Sequence, residues 1–253
     1  MTTKLINSST KPLKSIISVV RKVKIYLSEI RINSRYARQL RNSEFPVVTI
    51  FGSCRQDSIK NHFPVTRIRD GLTYPHYTKE IIQAIRYCMG RIPAEDGIKD
   101  TFRNSLLGEN LISEKKMYFD FKHTDLFVIE VASRLEYSDG RYYYHHIAFD
   151  NRTNINNTKN KSEVGDILQR QSTLEEVESD IAEIIELLNK RVLFVSHIST
   201  ESNSTRAELT RMLEATCLKL GVNFLNVSEL LMNYSIEEIC EPCLLYTSPS
   251  PRD

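Results

Sequence analysis

A glycine and a serine directly follow the first strongly apolar run of this 253-residue chain. The run Val47 to Phe51 is typical of a buried β-strand, and Gly52 and Ser53 come next. A serine at a strand-to-helix turn places its hydroxyl at the mouth of a sheet, where the first amides of the helix can face an oxyanion. The spacing matches neither a GxSxG elbow nor a phosphate-binding glycine loop. Ser53 is therefore a candidate nucleophile, with a simple helix N-cap as the alternative.

Further candidate site residues follow three other apolar runs of the chain. Gly71 comes after the second run, Ser133 and Arg134 after the third, and His197 after the fourth. The carboxyl ends of parallel strands meet at one edge of a sheet, and ligands bind in such α/β folds outside that edge. We therefore expect Ser53, Gly71, Arg134 and His197 to cluster there. Arg134 could donate to an oxyanion, bind an anionic group of a substrate, or pair with Glu130 or Glu136.

The segments that must position these residues alternate between strand and helix patterns. Five runs are typical of strands: Val47 to Phe51, Val65 to Ile68, Asp125 to Val131, Val192 to Ser196 and Val222 to Val227. Helical patterns cover Thr78 to Met89, Ser172 to Lys190 and Thr205 to Gly221, and Ser172, Thr173 and Thr205 each have Glu three residues on. Most strand runs are continuously apolar, which is typical of strands covered on both faces. The sequence predicts a three-layer α/β/α sandwich with a five-stranded parallel sheet.

The order of these features resembles the SGNH/GDSL hydrolase superfamily, in particular members with a Gly-Ser-Cys block, across residues 46 to 242. The resemblance implies a flavodoxin-like sheet, no cofactor, and Ser53 as the nucleophile. It also implies an oxyanion hole built from the amides of Ser53 and Gly71, with Arg134 standing where the family pattern has Asn. The implied function is an ester hydrolase or acyl-transfer enzyme acting on a small-molecule or glycan ester such as an O-acylated carbohydrate.

Further side chains could line the substrate cleft: Arg55, Tyr74, His76, Ser133 and His197. The alternative function is a non-catalytic module that binds an anionic glycan or a protein partner through a cleft lined by Arg55, Arg69 and Arg134. The chain has six histidines, but no pair has convincing zinc-ligand spacing with a carboxylate. The sequence therefore predicts no metal.

The first 45 residues differ in charge from the rest of the chain. They carry ten basic and two acidic side chains, so the remainder is acidic although the whole chain has a net charge of +2. An apolar stripe runs along this basic segment, formed by Ile16, Val20, Val23, Leu27 and Ile30. We expect a helical arm over residues 1 to 45 that packs on its own domain, and contact with an anionic membrane surface is the alternative. Without interleaved aromatic residues the arm does not indicate nucleic-acid binding.

The two ends of the chain bear on location and activity. No run approaches 18 apolar residues and no secretory signal is recognisable, which favours a cytoplasmic protein with reduced thiols. Residues 243 to 253 resemble the in-frame translation of a transposase sequencing adaptor, so we expect them to be foreign. The family's Asp-x-x-His block, which supplies the general base, does not occur after Leu225 and would be expected just beyond Pro242. The prediction is an inactive piece of an active enzyme.

Overall fold

The computed structural model describes residues 34–72, 74–92, 96–109, 111–149, 167–189, 191–199 and 203–231. The chain divides into two compact units, Met1–Glu44 and Phe45–Asp253. In the first unit the described residues form a helix, α1, over 34–41. The predicted apolar stripe of the arm and the predicted adaptor tail lie outside the described residues.

The second unit alternates strands and helices for most of its length. The strands are β1 (Val48–Phe51), β2 (Leu126–Val131), β3 (Leu135–Ser138), β4 (Leu168–Gln171), β5 (Val192–Ser196) and β6 (Asn223–Leu225). The α-helices are α2 (Ile68–Leu72), α3 (Thr78–Cys88), α4 (Asp96–Lys99), α5 (Arg103–Leu106), α6 (Glu114–Lys122), α7 (Leu174–Leu187), α8 (Thr205–Leu220) and α9 (Val227–Leu231). Two 3-10 helices cover Cys54–Asn61 and His146–Ala148. No helix of the described residues combines the length and the apolar character that crossing a membrane requires.

The main sheet is parallel and has four strands in the order β1-β2-β5-β6. The prediction of an α/β fold with a parallel sheet is confirmed, whereas the predicted strand Val65 to Ile68 is wrong in extent. Val65 forms a single parallel bridge with Val48. The pairing stops because Ile68, whose amide would bond to β1 next, already begins α2. The Arg67 amide faces away from β1 and donates to the Asp120 carboxylate at 3.0 Å.

Both faces of this sheet are covered. On one face, Phe51, Phe127, Ile129 and Phe194 pack into the largest hydrophobic core, to which α3, α6, α7 and α8 contribute. On the other face, Val48, Ile50, Val128 and Val195 pack with Ile59 of the first 3-10 helix and Val227 of α9. Covered faces on both sides explain why the strands are continuously apolar, and they are consistent with a three-layer sandwich.

Local signals explain where two of the covering helices begin and end. Thr173 forms the predicted capping box with Glu176 at the start of α7. At α8 the N-cap is Ser204, whose hydroxyl accepts from the Ala207 amide, one residue before the predicted cap Thr205. Gly221 ends α8 with a left-handed φ of 66°, which glycine adopts readily.

The strands β3 and β4 form a separate antiparallel pair that the sequence pattern did not reveal. A buried tyrosine joins this part of the fold to helix α3. The hydroxyl of Tyr77 donates towards the carbonyls of Tyr144 and Tyr137, at 2.7 and 3.0 Å, and accepts from the Tyr137 amide at 3.3 Å.

Replacing Tyr77 with phenylalanine is expected to lower the free energy of unfolding by about 1–3 kcal/mol, because buried backbone groups lose their partner. Urea unfolding of Tyr77→Phe measures this change. The matched control is Tyr118→Phe, since Tyr118 is 41% exposed and the change there is expected to stay within about 0.5 kcal/mol. Equal stability of the two variants would contradict the assigned role of the Tyr77 hydroxyl.

Candidate functional site

The candidate site lies at the carboxyl end of the sheet, where strand order reverses. From β1 the chain passes first to the bridge residue Val65 on one side and then to β2 on the other. Such a reversal leaves a crevice outside the strand ends, where doubly wound α/β proteins bind their ligands. Ser53 follows β1 and His197 follows β5, while Glu130 is part of β2 between them.

A buried glutamate connects the two predicted residues. One carboxylate oxygen of Glu130, Oε2, accepts hydrogen bonds from the Ser53 hydroxyl at 2.6 Å and from the Ser53 amide at 2.8 Å. The other oxygen, Oε1, accepts from Nδ1 of His197 at 2.7 Å. Glu130 is 1% exposed, and Ser53 and His197 are each 7% exposed. The three side chains form one hydrogen-bonded network just below the surface.

The network determines the charge of Glu130. Burial by itself raises the pKa of a carboxyl group, but the hydrogen bonds and charge of His197 and the hydrogen bonds from Ser53 outweigh it. The pKa of Glu130 is consequently lowered to about 2. Glu130 is therefore an ionised carboxylate at neutral pH, with its charge satisfied by three donors.

Burial favours the neutral form of His197, and in that form its hydrogen bond to Glu130 selects one tautomer. Burial lowers its pKa and exceeds the opposing effect of Glu130, while the charge of Arg55 lowers it further. Because Nδ1 donates its proton to Glu130, the second ring nitrogen, Nε2, is the acceptor, and it faces the guanidinium of Arg55. The hydrogen-bonded chain thus runs from Arg55 through His197 and Glu130 to Ser53.

The geometry argues against the alternative that Ser53 is a simple helix cap. Ser53 stands at the N-cap position of the 3-10 helix Cys54–Asn61, yet its side chain makes no capping hydrogen bond. Its hydroxyl is directed to Glu130 instead.

Gly52 is required for this close approach. Its φ is +153°, a region that side chains rarely adopt, and a Cβ at this position would lie 2.5 Å from the Cβ of Glu130. Glycine therefore allows β1 to end against Glu130 with the Ser53 hydroxyl in reach of the carboxylate.

Arg69 holds the turn from the other side. This buried arginine donates to the carbonyls of Gly52 and Ser53, each at 2.5 Å, and forms an ion pair with Asp57 at 2.8 Å. Tyr74 completes the arrangement, since its hydroxyl donates to Asp57 at 2.9 Å and the Arg69 guanidinium lies over its ring. Arg69 thus fixes the backbone of the turn.

A cavity of about 370 Å³ adjoins Arg69, Asp57 and Tyr74. Its lining includes the charged and polar side chains Asp57, Lys60, Arg69, Asp70 and Tyr74. A lining of this kind suits a polar ligand better than an apolar one.

The amides that the family resemblance implies for an oxyanion hole are engaged elsewhere. The Ser53 amide donates to Glu130. Gly71 lies inside helix α2, where its amide donates to the Arg67 carbonyl at 2.9 Å and a Cβ would press on Met117 and Ile112. Its assignment as an oxyanion donor is therefore corrected to a packing role.

Arg134 and Ser133 also have other partners. Arg134 forms an ion pair with Glu208 at 3.1 Å, in place of the expected oxyanion, Glu130 or Glu136. The Ser133 hydroxyl accepts from the Leu135 amide at 2.9 Å, at the start of β3. Of the residues expected at one edge, the described contacts join Ser53 and His197, with Arg55 beside them.

Glu130 is the residue that sequence reasoning missed. The available signal was its position as a charged residue inside the otherwise apolar strand β2. A carboxylate is buried in a strand only when it is paired and hydrogen-bonded, and its partners lie 77 and 67 residues away in sequence.

Three histidines meet beside this network. His76 precedes helix α3, and His145 and His146 begin the second 3-10 helix. Burial and the neighbouring His146 lower the pKa of His76 to about 3, although the charge of Glu130 acts in the opposite direction. The predicted absence of a metal considered spacing in the sequence alone, and this cluster forms across about 70 residues of chain.

Comparison of the chain with protein-family models and with curated proteins gives no match. The interpretation of the site therefore depends on its own geometry.

Proposed function

We propose that the protein is a serine ester hydrolase or acyl-transfer enzyme of the SGNH type, with Ser53 as its nucleophile. The observation that carries this proposal is the 2.6 Å hydrogen bond from the Ser53 hydroxyl to the buried Glu130 carboxylate at the strand-order reversal. A serine needs an adjacent group that can take its proton, and Glu130 is such a group.

In the proposed reaction the Ser53 oxygen attacks the ester carbonyl while its proton passes to Oε2 of Glu130. The Ser53 oxygen–carbon bond forms, and the resulting tetrahedral adduct then expels the alcohol, which takes the proton back from Glu130. The acyl group remains on Ser53 until water or a second hydroxyl group removes it. Hydrolysis and acyl transfer differ in this last step alone.

His197 and Arg55 act in this scheme as positioning residues. His197 donates to the far oxygen of Glu130 and keeps the near oxygen directed at Ser53. A carboxylate with a pKa of about 2 is a weak base, so we expect slow turnover. The resemblance implies an additional Asp-x-x-His base, which does not occur after Leu225, and its absence led to the prediction of an inactive chain. With Glu130 as the base we propose slow turnover in place of inactivity.

The oxyanion would be held by the first amides of the 3-10 helix Cys54–Asn61. The first amides of a helix have no acceptor within that helix and carry its partial positive charge. The Cys54 and Arg55 amides follow the nucleophile directly, and they replace the Gly71 and Arg134 donors that the family pattern implies.

The cavity beside Arg69 supports a substrate class, although Ser53 is not among its lining residues. Its ionic side chains can hydrogen-bond hydroxyl groups, which favours an ester of a small polar molecule or an O-acylated carbohydrate over a lipid ester.

The alternative of an anion-binding module finds less support in the contacts. Such a module needs guanidinium groups that are available to a ligand. Arg69 is engaged by two carbonyls and Asp57, Arg134 by Glu208, and Arg55 by His197. These contacts favour the enzyme proposal.

The test is covalent labelling of the full chain with a fluorophosphonate, which reacts with nucleophilic serines, followed by peptide mass spectrometry. We expect the label on Ser53, and hydrolysis of an aryl acetate at least about 100-fold slower in Ser53→Ala. Ser58→Ala is the matched control, because Ser58 is an exposed serine of the same 3-10 helix. Unchanged turnover in a folded Ser53→Ala variant, or a folded wild-type chain that takes no label on Ser53, would reject the nucleophile.

A further inference from the structure

Three imidazole rings lie against one another next to the proposed catalytic network. The ring centres of His76 and His146 are 4.7 Å apart, those of His145 and His146 4.4 Å, and those of His76 and His145 5.1 Å. One ring nitrogen of each histidine lies within 4.8 Å of the others. Imidazole nitrogen is a preferred ligand of zinc and of neighbouring divalent transition metals.

Hydrogen bonds to separate parts of the fold hold the backbone at His76 and at His145. The His76 carbonyl accepts from the amides of Ala132 and Ser133, at 2.8 and 3.2 Å, just after β2 ends. The His145 amide donates to the Thr101 carbonyl at 3.0 Å. The cluster is therefore built on positions fixed by tertiary hydrogen bonds, as a metal site requires.

His145 supplies a second, independent observation. It is 1% exposed, its Nδ1 accepts a long hydrogen bond from the Ile147 amide at 3.4 Å, and its Nε2 makes no hydrogen bond of normal geometry within the part of the chain that the structure describes. The Tyr74 carbonyl acts on this ring, but less than burial and the neighbouring histidines do. A buried nitrogen without a well-formed hydrogen bond is costly, so a metal ion bound to Nε2 would satisfy it. The proton would then lie on Nδ1, and the weak hydrogen bond from the Ile147 amide would be given up.

We propose that His76, His145 and His146 bind one divalent transition metal, zinc by preference, with a fourth position open to water or substrate. Tetrahedral zinc at about 2.0–2.1 Å from each nitrogen needs these nitrogens to be about 3.3 Å apart. The nitrogens must then approach by up to about 1.5 Å. Binding also requires the imidazole rings to rotate, because His76 and His146 stack with 24° between their planes and a metal ion lies in the plane of each ring that binds it.

Two charged groups act on such an ion with opposite signs. The Glu130 carboxylate acts on His76 and would attract the cation. The Arg103 guanidinium acts on both His76 and His145 and would repel it. Because the positive charge of Arg103 opposes zinc binding, removing that charge should raise the zinc affinity. Arg103→Gln is therefore expected to tighten zinc binding.

The experiment measures zinc bound by the full chain after equilibrium dialysis against zinc chloride, with metal analysis of the protein. We expect one equivalent in the wild-type chain and an affinity at least about tenfold lower in His76→Gln and His145→Gln, because losing even a residue that supports a ligand costs about that much. His76→Gln is the more secure variant, since His76 is less buried than His145. Circular dichroism confirms that each variant is folded.

Two matched controls separate this site from others. His62→Gln removes an exposed histidine outside the cluster and is expected to keep the zinc. A Cys240→Ser/Cys243→Ser double variant removes the cysteine pair of the sequence, and it is also expected to keep the zinc. Zinc lost from this double variant and retained by folded His76→Gln and His145→Gln would overturn the proposal, as would a folded wild-type chain that binds none.

Cobalt substitution reports the ligands directly. Co²⁺ in a site of three histidines and a water absorbs in the visible range without the sulfur charge-transfer band that thiolate ligands add. The same spectrum in Ser53→Ala would show that the metal site is independent of the proposed nucleophile. A thiolate band in the wild-type spectrum would contradict the histidine assignment.

Discussion

Replacing Gly52 with alanine is expected to lower the free energy of unfolding by about 2–6 kcal/mol and to abolish the reactivity of Ser53. The added Cβ would lie 2.5 Å from the Cβ of Glu130, so strand β1 and Glu130 would have to separate. Overpacking costs about 1–3 kcal/mol and backbone strain adds about 1–3 kcal/mol. Separation would also break the hydrogen bonds that join Ser53 to Glu130.

Urea unfolding and fluorophosphonate labelling measure the two effects of Gly52→Ala. The matched control is Gly90→Ala, because Gly90 also has a positive φ, of +69°, but has no atom within 4 Å of the added Cβ. In Gly90→Ala only the unfavourable backbone conformation lowers the free energy of unfolding, by about 1–2 kcal/mol. If Gly52→Ala were no less stable than Gly90→Ala and still took the label, the close approach to Glu130 would not be required.

Replacing Glu130 with glutamine is expected to lower the free energy of unfolding by about 3 kcal/mol at pH 7. The pKa of Glu130 is about 2 in the folded protein and 4.5 as a reference value, and each unit corresponds to about 1.4 kcal/mol. Glutamine has the same shape but no charge. Its amide nitrogen would meet the donor Nδ1–H of His197, and the other ring nitrogen already faces the Arg55 guanidinium.

The difference between wild type and Glu130→Gln is expected to depend on pH in a defined direction. Because the pKa of Glu130 is lower in the folded state, its contribution is complete above about pH 4.5 and is lost as the pH falls towards 2. Urea unfolding of both proteins from pH 7 to pH 3 should show the difference shrinking below pH 4.5. Glu208→Gln is the control, since its exposed ion pair with Arg134 should contribute at most about 1 kcal/mol. A constant difference across this range would show that Glu130 is not held as a buried carboxylate.

Much of the fold could be predicted because its signals are local. Continuous apolar runs identified β1, β2 and β5, and the Thr173–Glu176 capping box and Gly221 located the start of one helix and the end of another. The run at Val65 was indistinguishable from a strand, because the Asp120 carboxylate that binds the Arg67 amide, just before α2, lies 53 residues away. The pair β3 and β4 was missed for a similar reason, since its strands are short and lie 30 residues apart.

The candidate site could likewise be predicted only in part. Ser53, Arg55 and His197 could be named in advance, because residues after parallel strands meet at one edge of a sheet. The family pattern did not transfer to Gly71, whose amide bonds to the Arg67 carbonyl, or to Arg134, whose guanidinium bonds to Glu208 in α8. The cluster of His76, His145 and His146 could not be inferred from spacing, because chain separation says nothing about which loops pack together.

The sequence by itself determined the alternation of strands and helices and the turn that presents Ser53, since both depend on residues within a few positions of each other. Only the tertiary structure decided what Ser53 touches. Glu130 acquires its charge and its role from Ser53 and His197, which approach it through packing of the sheet. A buried ionised group is tolerated only where such partners converge, and this convergence is a property of the folded chain.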